Sequence, residues 1–245
     1  MLQAWFRGEN RVWRLDLARQ DEQLYRDYIA AYCALVMEID SRIGDILDTL
    51  EQTGQRDNTI VLYAADHGDF VGAHGMVEKC APGHNVYIDT LRVPLIVSWP
   101  KSLRQEAVCG EPAALVDLYP TLLELCGCKR PESDYPLAGR SLAPMLQRGE
   151  PTGRRFVVSE NGSQTAVVTP RYTYGRWNPP VNPDRDFRAF GDMLFDRQAD
   201  PSERHNCLND PAYQAVLAEM KRWLAEWEST VSDEGRRAVM SAGGR

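Results

Sequence analysis

Apolar residues recur at steps of three and four positions between residues 21 and 50. The stripe that they form consists of Tyr25, Tyr28, Ile29, Tyr32, Val36, Ile39, Ile43, Ile46, Leu47 and Leu50. This spacing is typical of one face of an α-helix, and thirty residues would make a helix about 45 Å long. Gly54 follows the stripe, and a glycine commonly terminates a helix. The pattern therefore predicts one long amphipathic helix.

Two apolar runs without charged residues predict strands. The first covers residues 59–65 and is typical of a strand that is buried on both faces. It ends in Asp66-His67-Gly68-Asp69. The second run covers residues 93–99, where Pro94 cannot donate a ladder hydrogen bond. In an open α/β sheet, ligands bind beyond the carboxyl ends of parallel strands, so we expect the chemistry after the first run.

The middle of the chain changes character twice. Leucine-rich residues 116–126 predict a helix, and Pro120 fits its first turn if the helix begins near Tyr119. Residues 129–155 are rich in proline, glycine and charge, and we interpret them as a surface link.

Four short strand patterns follow and suggest a small antiparallel sheet. They cover residues 155–160, 165–169, 171–177 and 193–196. Asp210 and Pro211 form an N-terminal helix signal, and the apolar stripe after them predicts a helix that covers one sheet face. We therefore expect an α/β domain over residues 1–150 and a small α+β subdomain over residues 151–245.

The residues after the first strand suggest a site for a cation and an anionic ester. Gly68 gives the backbone the freedom to turn, so that Asp66 and His67 can serve one ligand. The oxygen ligand favours Ca²⁺ or Mg²⁺, and the imidazole also allows Mn²⁺ or Zn²⁺. Thirteen positions after Asp66, Lys79 can return a positive charge to the same place. A metal and an ammonium together can hold the oxygens of an anionic ester.

Several motifs resemble the sulfatase family of the alkaline-phosphatase superfamily. They are Asp66-His67-Gly68-Asp69 after its strand, residues 72–76, Glu78-Lys79, residues 91–97, residues 137–142 and the Asp200-Pro201-Ser202-Glu203 turn. The resemblance implies a partial α/β/α sandwich, followed by the small antiparallel-sheet subdomain with its C-terminal helix. It also implies that Asp66 and His67 bind a divalent metal, for which we favour Ca²⁺, and that Lys79 contacts the sulfate during catalysis.

The formylglycine nucleophile of that family comes from a Cys/Ser-x-Pro-x-Arg motif upstream of the metal pair. No such motif precedes residue 59, and the downstream Cys80-Ala81-Pro82-Gly83-His84 has histidine in place of the arginine. We therefore interpret the chain as the C-terminal portion of a sulfatase, inactive on sulfate esters by itself. A phosphodiesterase or phosphonate monoester hydrolase of the same superfamily, or a non-catalytic truncated chain, is the alternative.

Two histidines in the loop after the first strand have two interpretations. Each of His74 and His84 can make a structural hydrogen bond, or can donate a proton to the leaving group. We include His84 among the candidate catalytic residues together with Lys79.

The composition restricts which partners the chain can bind and in which cellular compartment it is expected. The net charge of −7 argues against nucleic acid, and no run of 18 apolar residues could span a membrane. The six scattered cysteines and the absence of a signal peptide predict a reduced cytoplasmic chain, with a periplasmic or secreted location as the alternative if a segment precedes Met1. We also expect self-association through surface that a missing N-terminal part would cover.

Overall fold

The computed structural model describes residues 22–79, 86–131, 138–180, 188 and 191–230. These residues form two compact units. The first unit contains residues 22–79, 89–108 and 146–149, and the second contains the other described residues. Residues 1–21 and the predicted catalytic residue His84 lie outside the described residues.

The long helix of the first unit matches the sequence pattern. Helix α1 runs over Glu22–Gln52. Gly54 has a φ of 66°, and the next residue, Gln55, donates its backbone N–H to the carbonyl of Leu50 at 2.9 Å. This left-handed residue after the last turn is the helix end that the sequence predicts.

Helix α1 is less covered than its apolar stripe suggests. None of its residues is buried, and the stripe residues Val36, Ile39 and Ile46 are exposed. The tyrosines near its beginning are partly covered, because they lie against the loop that follows the first strand. A periodic pattern shows which side of a helix is apolar, but it does not show what packs there.

The described part of the first unit contains, besides α1, two strands and all but the first residue of one short helix. Strand β1 covers Val61–Ala64, helix α2 covers Ile88–Leu91, and strand β2 covers Leu95–Ser98. Short 3-10 turns lie at Arg56–Asn58 and Ala73–Gly75.

The β1–β2 pair differs from the strand environment that we predicted. The two strands are antiparallel, with Val61 opposite Ser98 and Ala64 opposite Leu95, and every residue of β1 is only partly buried. The uncharged run predicted a strand correctly, but its expected burial on both faces was wrong. Burial on both faces needs a layer on each side of the strand, and the sequence of one strand does not encode its neighbours.

A buried carboxylate of the second unit lies just before helix α3, which covers Leu118–Leu125. Helix α4 covers Ala143–Arg148, and its residues 143–145 belong to this unit. Asp117 is fully buried, and it accepts hydrogen bonds from the backbone N–H groups of Ala114 and Arg140 and from the guanidinium of Arg154. Burial disfavours its charged form, but these donors lower the pKa of Asp117 below its usual value.

Helix α3 agrees with its prediction, whereas α4 was missed. It lies inside residues 129–155, which we interpreted as a surface link, and Leu142 and Ala143 at its beginning are buried. The helix has only six residues, and the surrounding prolines, glycines and charged residues led us to predict a link instead of a helix.

A four-stranded antiparallel sheet forms the rest of the second unit, as predicted. Its strands, in spatial order, are β3 Val157–Glu160, β4 Gln164–Val168, β5 Tyr172–Trp177 and β6 Met193–Asp196. Helix α5, Gln214–Thr230, follows a 3-10 turn at Pro211–Tyr213, and Asp210 accepts the backbone N–H of Ala212 at 2.9 Å.

The core of the second unit lies between this sheet and α5. It contains Val167, Tyr174 and Leu194 from the sheet and Leu217, Met220, Trp223 and Leu224 from the helix. The apolar stripe after Asp210 therefore covers one sheet face, which confirms the prediction. Among the described residues, no helix has both the length and the apolar character that crossing a membrane requires.

Candidate metal and ester site

The candidate site lies in the loop that leaves β1 and begins with a tight approach of two backbones. Gly68 donates its N–H to the carbonyl of Thr90 in α2 at 2.9 Å. A Cβ atom at position 68 would lie 1.9 Å from the carbonyl oxygen of Asp89. Only glycine fits this approach, so the backbone of α2 fixes the turn that presents Asp66 and His67.

Asp66 and His67 turn their polar atoms towards each other. The carboxylate oxygen Oδ2 of Asp66 lies 3.6 Å from Nε2 of His67, and the other carboxylate oxygen accepts the backbone N–H of His67 at 3.0 Å. The Asp66 side chain is 86% exposed and that of His67 is 37% exposed. Two potential ligands therefore face one accessible point.

The hydrogen bond on the far side of the imidazole selects its tautomer. Nδ1 of His67 lies 2.8 Å from the carbonyl oxygen of Gly68. A carbonyl can only accept, so the proton lies on Nδ1 and the lone pair lies on Nε2. This arrangement is the one that a metal-binding histidine normally uses.

Lys79 returns to the same point. Its Nζ lies 2.9 Å from Nε2 of His67, so the ammonium donates to the lone pair that faces Asp66. The structure thus brings together three of the four residues that the sequence singled out, Asp66, His67 and Lys79. The fourth, His84, is outside the described residues.

Backbone hydrogen bonds close the loop between His67 and Lys79. Phe70 donates its N–H to the carbonyl of Glu78 at 2.8 Å, and Gly72 donates to Met76 at 2.9 Å. The bond between Phe70 and Glu78 joins the two ends of the loop, so Lys79 emerges next to Asp66 and His67. His67 and Lys79 are therefore far apart in the sequence but adjacent in the structure.

The closed loop contains unusual backbone conformations. Val71, His74 and Glu78 have φ values of 46°, 55° and 52°, in the left-handed region. For the β-branched Val71 this conformation is a genuine outlier, and such strain persists only when the surroundings hold it. Strain of this kind is concentrated at functional sites.

Sequence reasoning missed the role of Asp69 in holding this loop. Oδ1 of Asp69 accepts the backbone N–H of Val71 at 2.7 Å and lies 3.5 Å from the hydroxyl of Tyr28 on α1. Burial raises the pKa of Tyr28, and the neighbouring Asp69 carboxylate raises it further, so the hydroxyl remains a donor. The signal was available, because an aspartate two residues before a strained turn commonly accepts a backbone N–H.

His74 and His205, the other described histidines, do not join the pair. Nε2 of His74 lies 3.7 Å from Oδ2 of Asp89 on α2, and its ring packs edge-on against Phe70 with centroids 6.0 Å apart. His205 belongs to the second unit, where its backbone N–H donates to Asp200. No sequence pattern pointed to Asp89.

The donor set fits a divalent cation in part. Asp66 and His67 supply one carboxylate and one imidazole whose Nε2 lone pair faces Lys79 in this structure. Within the part of the chain that the structure describes, no group of three or more His, Cys, Asp or Glu residues could hold a metal. Because Ca²⁺ takes six to eight oxygen ligands, a complete site needs donors in addition to this pair.

The sequence matches the family model for Sulfatase over residues 7–128. It is 33% identical over 239 residues to the Δ4,5-hexuronate-2-O-sulfatase of Bacteroides thetaiotaomicron. The aligned region covers 92% of this chain and 46% of that protein. It is also 28% identical over 238 residues to a multifunctional alkaline phosphatase superfamily protein of Trinickia caryophylli, covering 88% of this chain and 43% of that protein.

The fold leads to the same group of proteins. A solved structure of a 2-O GAG sulfatase superimposes with a TM-score of 0.72 and 31% identity, over 90% of this chain and 47% of that one. This chain spans about half the length of the curated relatives that it matches.

Proposed function

This chain belongs to the sulfatase family, and we propose that it supplies the metal-binding and sulfate-binding portion of a sulfuric ester hydrolase. The observation that carries the proposal is the convergence of Asp66, His67 and Lys79. The Nε2 atom of His67 lies 3.6 Å from a carboxylate oxygen and 2.9 Å from an ammonium. Such a group suits an ester that carries negative charge on several oxygens.

Asp66 and His67 are the residues that would hold the metal. The bound cation would supply positive charge for the ester oxygens. The hydrogen bond from Nδ1 of His67 to Gly68 orients the imidazole, and the approach of α2 to Gly68 prevents the turn from relaxing.

Lys79 would contribute a second, mobile positive charge. A lysine ammonium is a compact donor on a flexible stem, and it can leave the imidazole to contact a substrate oxygen. The closed loop, with its bond between Phe70 and Glu78, keeps Lys79 in reach.

Hydrolysis itself requires a nucleophile that we do not assign to this chain. No Cys/Ser-x-Pro-x-Arg motif precedes β1 in the sequence, and relatives of this family are about twice as long. We propose that these residues bind the metal and the sulfate group and that turnover requires the remaining portion of the fold.

A titration with Ca²⁺ tests the metal pair. Isothermal titration calorimetry of the wild-type chain, with Mn²⁺ and Mg²⁺ as comparison ions, should show a site that Asp66→Ala abolishes. The matched variant His205→Ala, in the second unit, should bind as the wild type does. Equal loss in the two variants would show that the site has been misplaced.

The nature of the ester is the second part of the proposal. We favour a sulfate ester, because the family model and the relative with 33% identity are sulfatases. An aryl sulfate should therefore bind at Lys79 more tightly than an aryl phosphodiester of the same shape, with both affinities measured in the presence of Ca²⁺. Preference for the phosphodiester would instead support a phosphodiesterase or phosphonate hydrolase.

A further inference from the structure

We propose that Asp89 and His74 are positioning residues that hold Lys79 against His67. This inference rests on the proposed function, since it concerns the loop that carries the metal pair and the lysine. Asp89 lies on helix α2 and His74 lies in the loop itself, and the pair acts on Lys79 through the loop.

Two consecutive residues of α2 hold the loop at two points. The carbonyl of Thr90 accepts the backbone N–H of Gly68, one residue after the metal pair. The carboxylate of Asp89 lies 3.7 Å from Nε2 of His74, halfway along the loop towards Lys79. One short helix therefore fixes the beginning of the loop through its backbone and the middle through a side chain.

The residue that contacts Asp89, His74, has an unfavourable backbone conformation. His74 has a φ of 55°, in the region where glycine is comfortable and a residue with a Cβ is not. The next residue is Gly75, so the chain places a histidine where a glycine would fold more easily. A side chain at such a position has to compensate through its contacts, and those of His74 include Asp89 and the ring of Phe70.

The geometry connects this contact to Lys79. Phe70 bonds to Glu78 through the backbone, and Lys79 follows immediately. His74 packs on Phe70 and lies near Asp89, so it ties the closed loop to α2. Without the tie, Gly68, Asp66 and His67 stay attached to α2 through Thr90, while the Phe70–Glu78 bond holds the Lys79 end of the loop without the support of α2, and we expect Lys79 to shift away from His67.

Histidine ring ¹⁵N resonances report the contact directly. The chain has four histidines, so a long-range ¹H–¹⁵N spectrum of the metal-free protein can be assigned with single substitutions. Lys79→Ala gives the position of the His67 Nε2 resonance when the lysine contact is lost. We expect His74→Gly and Asp89→Ala to move the resonance to that position, whereas Asp48→Ala, an exposed acid on α1, leaves it at the wild-type position.

The His74→Gly variant separates positioning from folding. Glycine relieves the positive φ, so the midpoint of thermal unfolding should stay the same or rise, while the Lys79 contact is lost. If His74 has a purely structural role, the folded His74→Gly variant should keep the His67 resonance at its wild-type position. This result would overturn the proposal.

The Lys79→Ala variant separates failure of the positioning role from failure of the proposed site. If His67 moves in Lys79→Ala but not in His74→Gly and Asp89→Ala, the positioning role is wrong and the proposed site survives. If His67 does not move in Lys79→Ala, the lysine contact itself is absent, and both proposals fail.

Discussion

Lys79 donates to the lone pair on Nε2 of His67 at 2.9 Å, while the opposite ring nitrogen, Nδ1, faces the carbonyl of Gly68. The ammonium therefore lies at the atom that would bind a metal. A divalent cation at Asp66 and His67 has to compete with the lysine for that lone pair and also feels its positive charge.

Lys79→Met should tighten the binding of Ca²⁺ to the chain by about tenfold, because it removes a competing donor and a repelling charge. The same substitution should weaken the binding of an aryl sulfate. Calorimetric titrations with each ligand measure the two effects. Lys101→Met, at an exposed position of the first unit, is the control and should change neither affinity. A loss of Ca²⁺ affinity in Lys79→Met would contradict the arrangement.

Gly68→Ala should destabilise the chain, because its Cβ would meet the backbone of Asp89, which cannot rotate away as a side chain can. We expect a decrease of about 1–3 kcal/mol in the free energy of unfolding, measured in urea. Gly44→Ala is the matched control. Apart from the backbone of α1 itself and the two neighbouring residues, no atom lies within 4 Å of a Cβ at this position, so the substitution should stabilise the helix by about 0.5–1 kcal/mol. Similar changes for both glycines would contradict the close approach at Gly68.

Glu203→Gln should cost more than its mild chemistry suggests. The Glu203 carboxylate is buried, and it accepts the backbone N–H of Ile88 at 2.7 Å and the hydroxyl of Thr173 at 2.9 Å. Removing its charge weakens both bonds, and we expect a loss of about 1.5–3 kcal/mol in the free energy of unfolding.

The control for Glu203 is an exposed glutamate. Glu219 pairs with Arg222 on the surface of α5 at 3.4 Å, and Glu219→Gln should change the free energy of unfolding by less than about 1 kcal/mol. Urea unfolding of the two variants tests the difference. An effect of equal size would show that the Glu203 carboxylate does not hold its neighbours as described.

Asp196 should make stability depend on acid pH. The hydrogen bonds from Arg171 are the main cause that lowers the pKa of the Asp196 carboxyl from 3.8 to about 2. Because the folded pKa is the lower one, the stabilisation is complete above 3.8 and is lost as the pH falls towards 2. Asp196→Asn should therefore be less stable than the wild type at neutral pH by about 1–3 kcal/mol, and the difference should shrink below about pH 4. Urea unfolding at several pH values checks this, and a difference that does not depend on pH would contradict it.

The elements of this fold were readable because they depend on local pattern. The steps of three and four that predict α1 and α5 follow from the helical repeat. Asp210 caps the beginning of the C-terminal helical segment, and Gly54 ends α1, in both cases through local backbone hydrogen bonds. The four C-terminal strands were found for the same reason. Helix α4 was missed because six residues among prolines and glycines contain too little periodic signal.

The sequence by itself determined which side chains are available for a metal and an anionic ester, since Asp66, His67 and Lys79 stand in a recognisable order. The tertiary structure alone decided that Lys79 meets His67, through a loop closed between Phe70 and Glu78. It also decided that Asp89 lies beside His74 and that the backbone of α2 closely approaches Gly68. Local patterns follow from interactions between near neighbours in the chain, whereas these contacts depend on how distant segments pack, and no spacing of residues encodes that packing.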